Sequence, residues 1–533
     1  MASTRRYIIR RRTALILALL LGLSWLGLPE GASASNVQDS LTVGIALNKT
    51  PVLRPLDPQE RDIVSVYNLI YDSLVTIDDS YEPAAGAAES WEKSSDCRTW
   101  TFHLRSNICF SDGTPLTAQD VAATVNYILS RASSEESTNR GYYRNLSYFV
   151  DSVSVNGDST VVFRAKAGRR YYGFIYAMTF PILRADQLDT DNPLGSGPYM
   201  VTRYDQGESL WLEANPYWWH SQPQVKQIAF MIHSLEKEVI ESYQYARVDT
   251  IFTRSISASS YSTGNTTMVM ASRTNQLETL LINNNSFPLN DVNIRRAIRL
   301  AIDADALAAK VYNGMVLRAD VPFIPGTWMY SDNLPGDFRR NIVEAARLLE
   351  EAGWVDLDDN SVRDKPKDDG SGNYHLHLRL LVYEEPDNSV RVSAATQISE
   401  WLAAVGIETE IISGTMQTIQ DRLAAGNFDL CLASFAMDVV PDPGFLLMSG
   451  NTADYSRYRN ADMTALFTEL RAQTSKGGYQ QVLYRIQEKY VTDCPFICLY
   501  WRRGVVLTRK MYTTNRDVRE LELLRGIETF NTN

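Results

Sequence analysis

The chain has 533 residues, 44% of them hydrophobic and 22% charged, with a formal net charge of −11. That composition is ordinary for globular proteins and supplies apolar material for several cores, so roughly two to four domains are expected. The acidic balance argues against a nucleic-acid partner, because binding a phosphate backbone needs a basic surface.

The N-terminus reads as a targeting segment. Arg5, Arg6, Arg10, Arg11 and Arg12 form a basic region, and Ala14–Leu28 is an apolar run. The run is near the upper length of a signal core and short for a membrane span. Ala32-Ser33-Ala34 places small residues where a signal peptidase needs them. Residues 1–34 are therefore expected to be an export signal, cleaved near Ala34, which places the mature protein in the periplasm or at the cell surface. A twin-arginine route through Arg5-Arg6 and an uncleaved N-terminal anchor stay open. No Cys follows the apolar run, so no lipidation site is expected.

Thr42–Leu47 alternates at its start and reads as a first strand. Val64–Leu74 is an apolar, Tyr-containing segment. From Thr99 the pattern sharpens. Trp100, Phe102 and Leu104 share one strand face, and Thr101, His103 and Arg105 the other. Ser111-Asp112-Gly113 supplies turn chemistry. Thr117 followed by Asp120 reads as a capping box, in which the Thr hydroxyl accepts from the third backbone N–H. Val121, Val125, Ile128 and Leu129 then share a helical face. Val150–Val155 and Thr160–Arg164 read as a hairpin around Asn156-Gly157-Asp158.

The C-terminal half begins with a short strand, Leu280–Asn284. Asp291 caps a helix with Ile294, Ala297, Ile298, Ala301 and Ile302 on one face, and Asn341 caps another that Gly353 closes. Strand Leu376–Val382, helix Ser389–Ala404, strand Ile407–Ile412, helix Thr415–Ala425 and strand Phe428–Phe435 follow. This β-α-β-α-β alternation predicts a parallel sheet with right-handed crossovers. Ligands of such sheets bind at the carboxyl ends of the strands, so the loop after Phe435 is a candidate ligand loop on physical grounds alone.

Chemistry-bearing clusters are few. No G-x-S-x-G, H-E-x-x-H or Walker A pattern occurs, and no enzyme activity is expected. Cys97 and Cys109 flank the Trp100–Leu104 strand and are either bonded or free. His375 and His377 fall on one strand face with Arg379, which reads as a polar face rather than a metal pair. Asp356-Leu357-Asp358-Asp359-Asn360 opens like a calcium loop, but Ser361 stands where the loop needs Gly and Lys367 where it needs Glu. It reads as an acidic turn. No metal and no cofactor are expected.

Thr101-Phe102-His103-Leu104-Arg105 and the run from Phe110 to Val121, FSDGTPLTAQDV, closely resemble the signature of the family 5 extracellular solute-binding proteins, the oligopeptide-, dipeptide- and nickel-binding components of ABC importers. Tyr81–Glu92, Asn192–Tyr199 and Leu210–Trp218 resemble further family segments. The resemblance extends from about Thr42 to about Leu507. It implies an α/β, periplasmic-binding-protein-like type II clamp of two α/β lobes with an additional smaller lobe. The first lobe would comprise residues 36–72, 186–283 and 496–533, the second 73–185 and the third 284–495, with Val64–Leu74 a helix and hinges near residues 283 and 496. It also implies a monomer that binds a short peptide or other small solute and delivers it to an ABC transporter permease. A nickel complex, haem or oligosaccharide is the alternative cargo, and a secreted peptidase or adhesin the alternative class. In peptide-binding relatives an Asp in a W-x-x-D-x-x-D/E-P segment meets the peptide ammonium. The corresponding segment here is Ser434–Pro443, SFAMDVVPDP, with one extra residue and no Trp. Asp438 is thus the candidate anchor, with Met437 and Phe435 as neighbouring candidates for ligand contact.

Overall fold

The computed structural model describes residues 39–47, 52–58, 60, 62–133, 143–261, 267–336, 338–384, 389–451, 453–509, 512–513, 516–527 and 530–532. The expected export signal at 1–34 lies outside them. The chain divides after Ser40 into two units, and the architecture below is that of Leu41–Asn533. Among the described residues no helix is long and apolar enough to cross a membrane.

A large mixed sheet organises this unit. Its strands run in the order Glu408–Gly414, His377–Tyr383, Leu430–Ala436, Met268–Ile282, Phe496–Thr508, Thr250–Thr253, Ser40–Ala46, Gln227–His233, Ser209–Ala214 and Tyr199–Asp205. The first three are parallel to one another, so their carboxyl ends share one edge. Helices Val390–Ala403 and Met416–Ala425 make the crossovers. Gly426 ends the second in the left-handed region, at φ 73°, which Gly adopts without a Cβ clash. The β-α-β-α-β expectation holds to within two residues at each boundary.

Two strands at the centre are much longer than the apolar pattern suggests. Met268–Ile282 spans 15 residues and Phe496–Thr508 spans 13. The expected strand Leu280–Asn284 is only the apolar end of the first. Its polar stretch, Ser272–Gln276, lacks an apolar pattern and includes a ladder irregularity between Arg273 and Leu277.

A second, antiparallel sheet has the order Ala88–Lys93, Thr99–Leu104, Thr160–Ala165, Val150–Asn156. Trp100, Phe102 and Leu104 are buried on one face, as their alternation requires. Trp100 stacks on Phe174 at 5.3 Å and Phe102 meets Phe163 edge-on at 5.4 Å. The Ala118–Ala132 helix starts where expected, with the capping box between Thr117 and Asp120. Asp120 Oδ2 accepts from both the Thr117 N–H and the Thr117 hydroxyl, each at 2.8 Å.

The five cysteines are unbridged. Cys97 is buried with its sulfur 3.7 Å from the Thr474 carbonyl, so of the two states left open by the sequence the thiols are free. His375 and His377 serve separate acids, Asp364 at 2.6 Å and Glu408 at 2.9 Å.

Candidate functional site

The carboxyl end of the Leu430–Ala436 strand presents the expected loop. Its pairing with Met268–Ile282 sets Ser434 opposite Glu278, Phe435 opposite Leu277 and Ala436 opposite Gln276. The ladder continues one residue further. Met437 N–H donates to Asn275 O at 2.8 Å, and Asn275 Nδ2 donates to Met437 O at 2.7 Å. Phe435 and Met437, two apart, both pack partly buried against the main core. Asp438 is exposed where the strand ends.

Asp438 is held from both sides. Its Oδ1 accepts from Val440 N–H at 3.3 Å, and its Oδ2 accepts from Asn145 Nδ2 at 2.8 Å. Asn145 belongs to the segment beside the second sheet, so two distant parts of the chain meet at this carboxylate. The loop beyond is fixed more firmly. Asp442 is nearly buried and takes a bidentate pair from Arg471, at 2.7 and 3.1 Å, while capping Gly444 N–H at 3.0 Å. Tyr479 OH donates to Pro441 O at 3.1 Å, and its ring stacks on Tyr171 at 5.9 Å. The two aspartates of the segment therefore differ. Asp442 is structural; Asp438 points outward with acceptor capacity to spare, since an ionised carboxylate has about four lone-pair sites.

Beneath the strand lies a charge cluster. Glu278 is buried and takes Arg391 through both oxygens, at 2.6 and 3.1 Å, and Arg502 Nε at 2.6 Å. Burial opposes its ionisation, but the Arg391 and Arg502 guanidinium groups outweigh burial and hold its carboxyl below the usual glutamate range. Arg391 also lies over the Tyr383 ring at 4.0 Å. Sequence reasoning passed over Asn145, Glu278, Arg391 and Arg502. The available signal was Glu278 itself, a charge inside the apolar run LETLLI, which a buried strand tolerates only with a paired cation.

A further junction packs Gly195 and Gly197 onto the end of the Ile63–Ile70 helix. A Cβ on Gly195 would stand 1.9 Å from Ile70 O. Beside it Trp219 Nε1 donates to Asp72 at 3.1 Å, and Arg105 lies over the Trp219 ring at 3.8 Å. Burial pushes the Asp72 carboxyl up to about 7, against hydrogen bonds from Trp219, Ser196 and Trp218 and the Arg105 charge.

The sequence from 82 to 457 matches the family described as bacterial extracellular solute-binding proteins, family 5 middle. The chain is a family 5 extracellular solute-binding protein. This solute-binding protein is 23% identical over 528 residues to the oligopeptide-binding protein AppA of Bacillus subtilis, covering 92% of this chain and 94% of that one. The structure of that AppA in complex with a nonapeptide superposes with a TM-score of 0.67 at 20% identity, over 93% of this chain and 99% of that one. NikA of Brucella suis in complex with Fe(III)-EDTA gives a TM-score of 0.76 at 21% identity, over 93% and 100%. The solute-binding protein thus has the clamp fold expected from its signature.

Proposed function

We propose that this solute-binding protein captures a short peptide outside the cytoplasm and hands it to an ABC importer, with Asp438 meeting the peptide ammonium. The observation that carries the reading is the exposed Asp438 carboxylate at the carboxyl edge of three parallel strands, in a loop fixed by Asp442–Arg471 and Tyr479. An ammonium taken into a closing cleft loses its water, and a carboxylate on a rigid loop offsets that loss. Phe435 and Met437 supply apolar contact beside it. The resemblance to AppA, an oligopeptide-binding protein, supports the cargo class. The three-lobed clamp, closing about hinges near residues 283 and 496, goes with this reading, as do export, a monomeric state and the lack of a catalytic role.

Intrinsic tryptophan fluorescence tests it. Titration with defined free-amine peptides is expected to give a saturable change, with the peptide recovered intact by mass spectrometry. Cleavage products would favour a peptidase. No response to any peptide but a response to a metal chelate would move the cargo to that class.

A further inference from the structure

Residues 355–364 form a small closed loop, with Val355 and Asp364 exchanging backbone hydrogen bonds at 2.9 and 2.7 Å. Inside it, carboxylate oxygens of Asp356, Asp358 and Asp364 lie within 4.8 Å of one another. Two oxygens on opposite sides of a calcium ion stand about 5 Å apart, so one ion reaches all three. Asp356 and Asp358 are exposed, but Asp364 is fully buried. Its Oδ1 accepts no hydrogen bond. Leu357 N–H lies 3.4 Å from Oδ2, a weak contact. His375 Nδ1 stands 2.6 Å from Oδ1, unaligned for a hydrogen bond, on a side chain that is 59% exposed.

Among the described residues, no Lys or Arg pairs with any of the three. The flanking cations Arg363 and Lys365 are engaged elsewhere. Arg363 donates to Val405 O and Trp354 O, and Lys365 donates to Ala352 O, all at 2.8–2.9 Å. A buried carboxylate oxygen that accepts no hydrogen bond and faces only the exposed His375 ring is unfavourable, and two more carboxylates within 5 Å make it worse. One divalent cation relieves both terms.

We propose that Asp356, Asp358 and Asp364 form a calcium site. They occupy the first, third and ninth positions of a calcium loop. Sequence alone reads this stretch as an acidic turn, because Ser361 and Lys367 break the pattern; the burial of Asp364 changes that reading. Hard oxygen donors without nitrogen or sulfur ligands favour calcium over zinc, and the open side leaves room for the waters that complete its shell. Asn360 Nδ2 donates to Asp358, and the N–H groups of Asn360 and Ser361 donate to Asp356, so the loop orients its own ligands. Lys367 lies over the Tyr374 ring and supplies no bidentate carboxylate. The dissociation constant is therefore expected at the weak end, about 10⁻⁴–10⁻³ M. This site is independent of the solute-binding reading.

Trp354, two residues before Asp356, makes a built-in sensitiser for terbium. The calcium-stripped full chain is titrated with terbium under tryptophan excitation, then with calcium. Saturable luminescence that calcium displaces, and a thermal midpoint that rises in millimolar calcium, are expected. Asp358→Asn, at an exposed position that leaves the fold intact, should abolish both effects; Asp364→Asn should do the same if it folds. Absence of saturable luminescence, or luminescence unchanged in Asp358→Asn, would overturn the site and leave Asp364 balanced by His375 alone.

Discussion

Asn145 and Asp438 stand 293 positions apart in the chain and meet through a 2.8 Å hydrogen bond, Nδ2 donating to Oδ2. The bond fixes the orientation of the carboxylate proposed to receive the ligand ammonium, and it comes from a different part of the fold. Asn145→Ala should leave Asp438 able to bind, but less well aimed. Peptide affinity is expected to fall a few-fold, under about 1 kcal/mol, the usual worth of one hydrogen bond. Calorimetry decides: tighter binding in the variant would make Asn145 a competitor of the ligand rather than a guide.

Glu278→Gln removes one charge from a buried cluster and leaves two guanidinium groups facing each other. Breaking such a cluster is expected to cost about 3–5 kcal/mol of stability. Urea unfolding should show a lower midpoint with an unchanged slope. Because the folded-state pKa of Glu278 is lowered, its contribution is fully present above the ordinary glutamate pKa. It disappears as pH falls through the lowered folded value. The gap between wild type and Glu278→Gln should therefore narrow in acid. A gap independent of pH would mean that packing, not charge, carries the effect.

Asp72 has the opposite sign. Its folded pKa is raised to about 7, above that of an unfolded aspartate. The stability associated with its proton is fully present below the unfolded value and is lost as pH rises through about 7. Asp72→Asn, which keeps an acceptor for Trp219, should be more stable than wild type at pH 8, by about 1–3 kcal/mol after allowing for partial exposure. The two should converge towards pH 4. Thermal midpoints across that range check it, and a destabilised variant at pH 8 would contradict it.

Gly195→Ala tests the close approach of the Gly195–Pro198 element to the Ile63–Ile70 helix. The new Cβ would meet the Ile70 carbonyl oxygen at 1.9 Å, backbone against backbone, where no rotamer change helps. A loss of about 3 kcal/mol or more is expected. A near-neutral result would show that the junction has slack.

How much was legible depended on whether a signal was local. The strand Thr99–Leu104, the capped helices after Asp291 and Asn341 and the β-α-β-α-β unit could be read directly, since period, caps and left-handed glycines lie within a few residues of each other. The 15-residue strand could not, because half of it is polar and owes its conformation to neighbours remote in sequence. The same held at the site. Asp438 could be named from its segment, while Asn145 could not, as nothing at position 145 points to position 438. Asp364 lies beyond the acidic run Asp356–Asn360, and only its burial sets it apart from Asp356 and Asp358.

Calorimetric titration of wild type and Asp438→Asn with one peptide in free-amine and N-acetylated forms tests Asp438 as the ammonium anchor. Asp438→Asn keeps shape and removes charge. Asp438→Asn is expected to bind the free-amine peptide at least about tenfold more weakly, about 1.4 kcal/mol, and the acetylated peptide with little change. Equal affinity of variant and wild type for the free-amine peptide would remove Asp438 from the site and turn the reading towards a cargo without an ammonium.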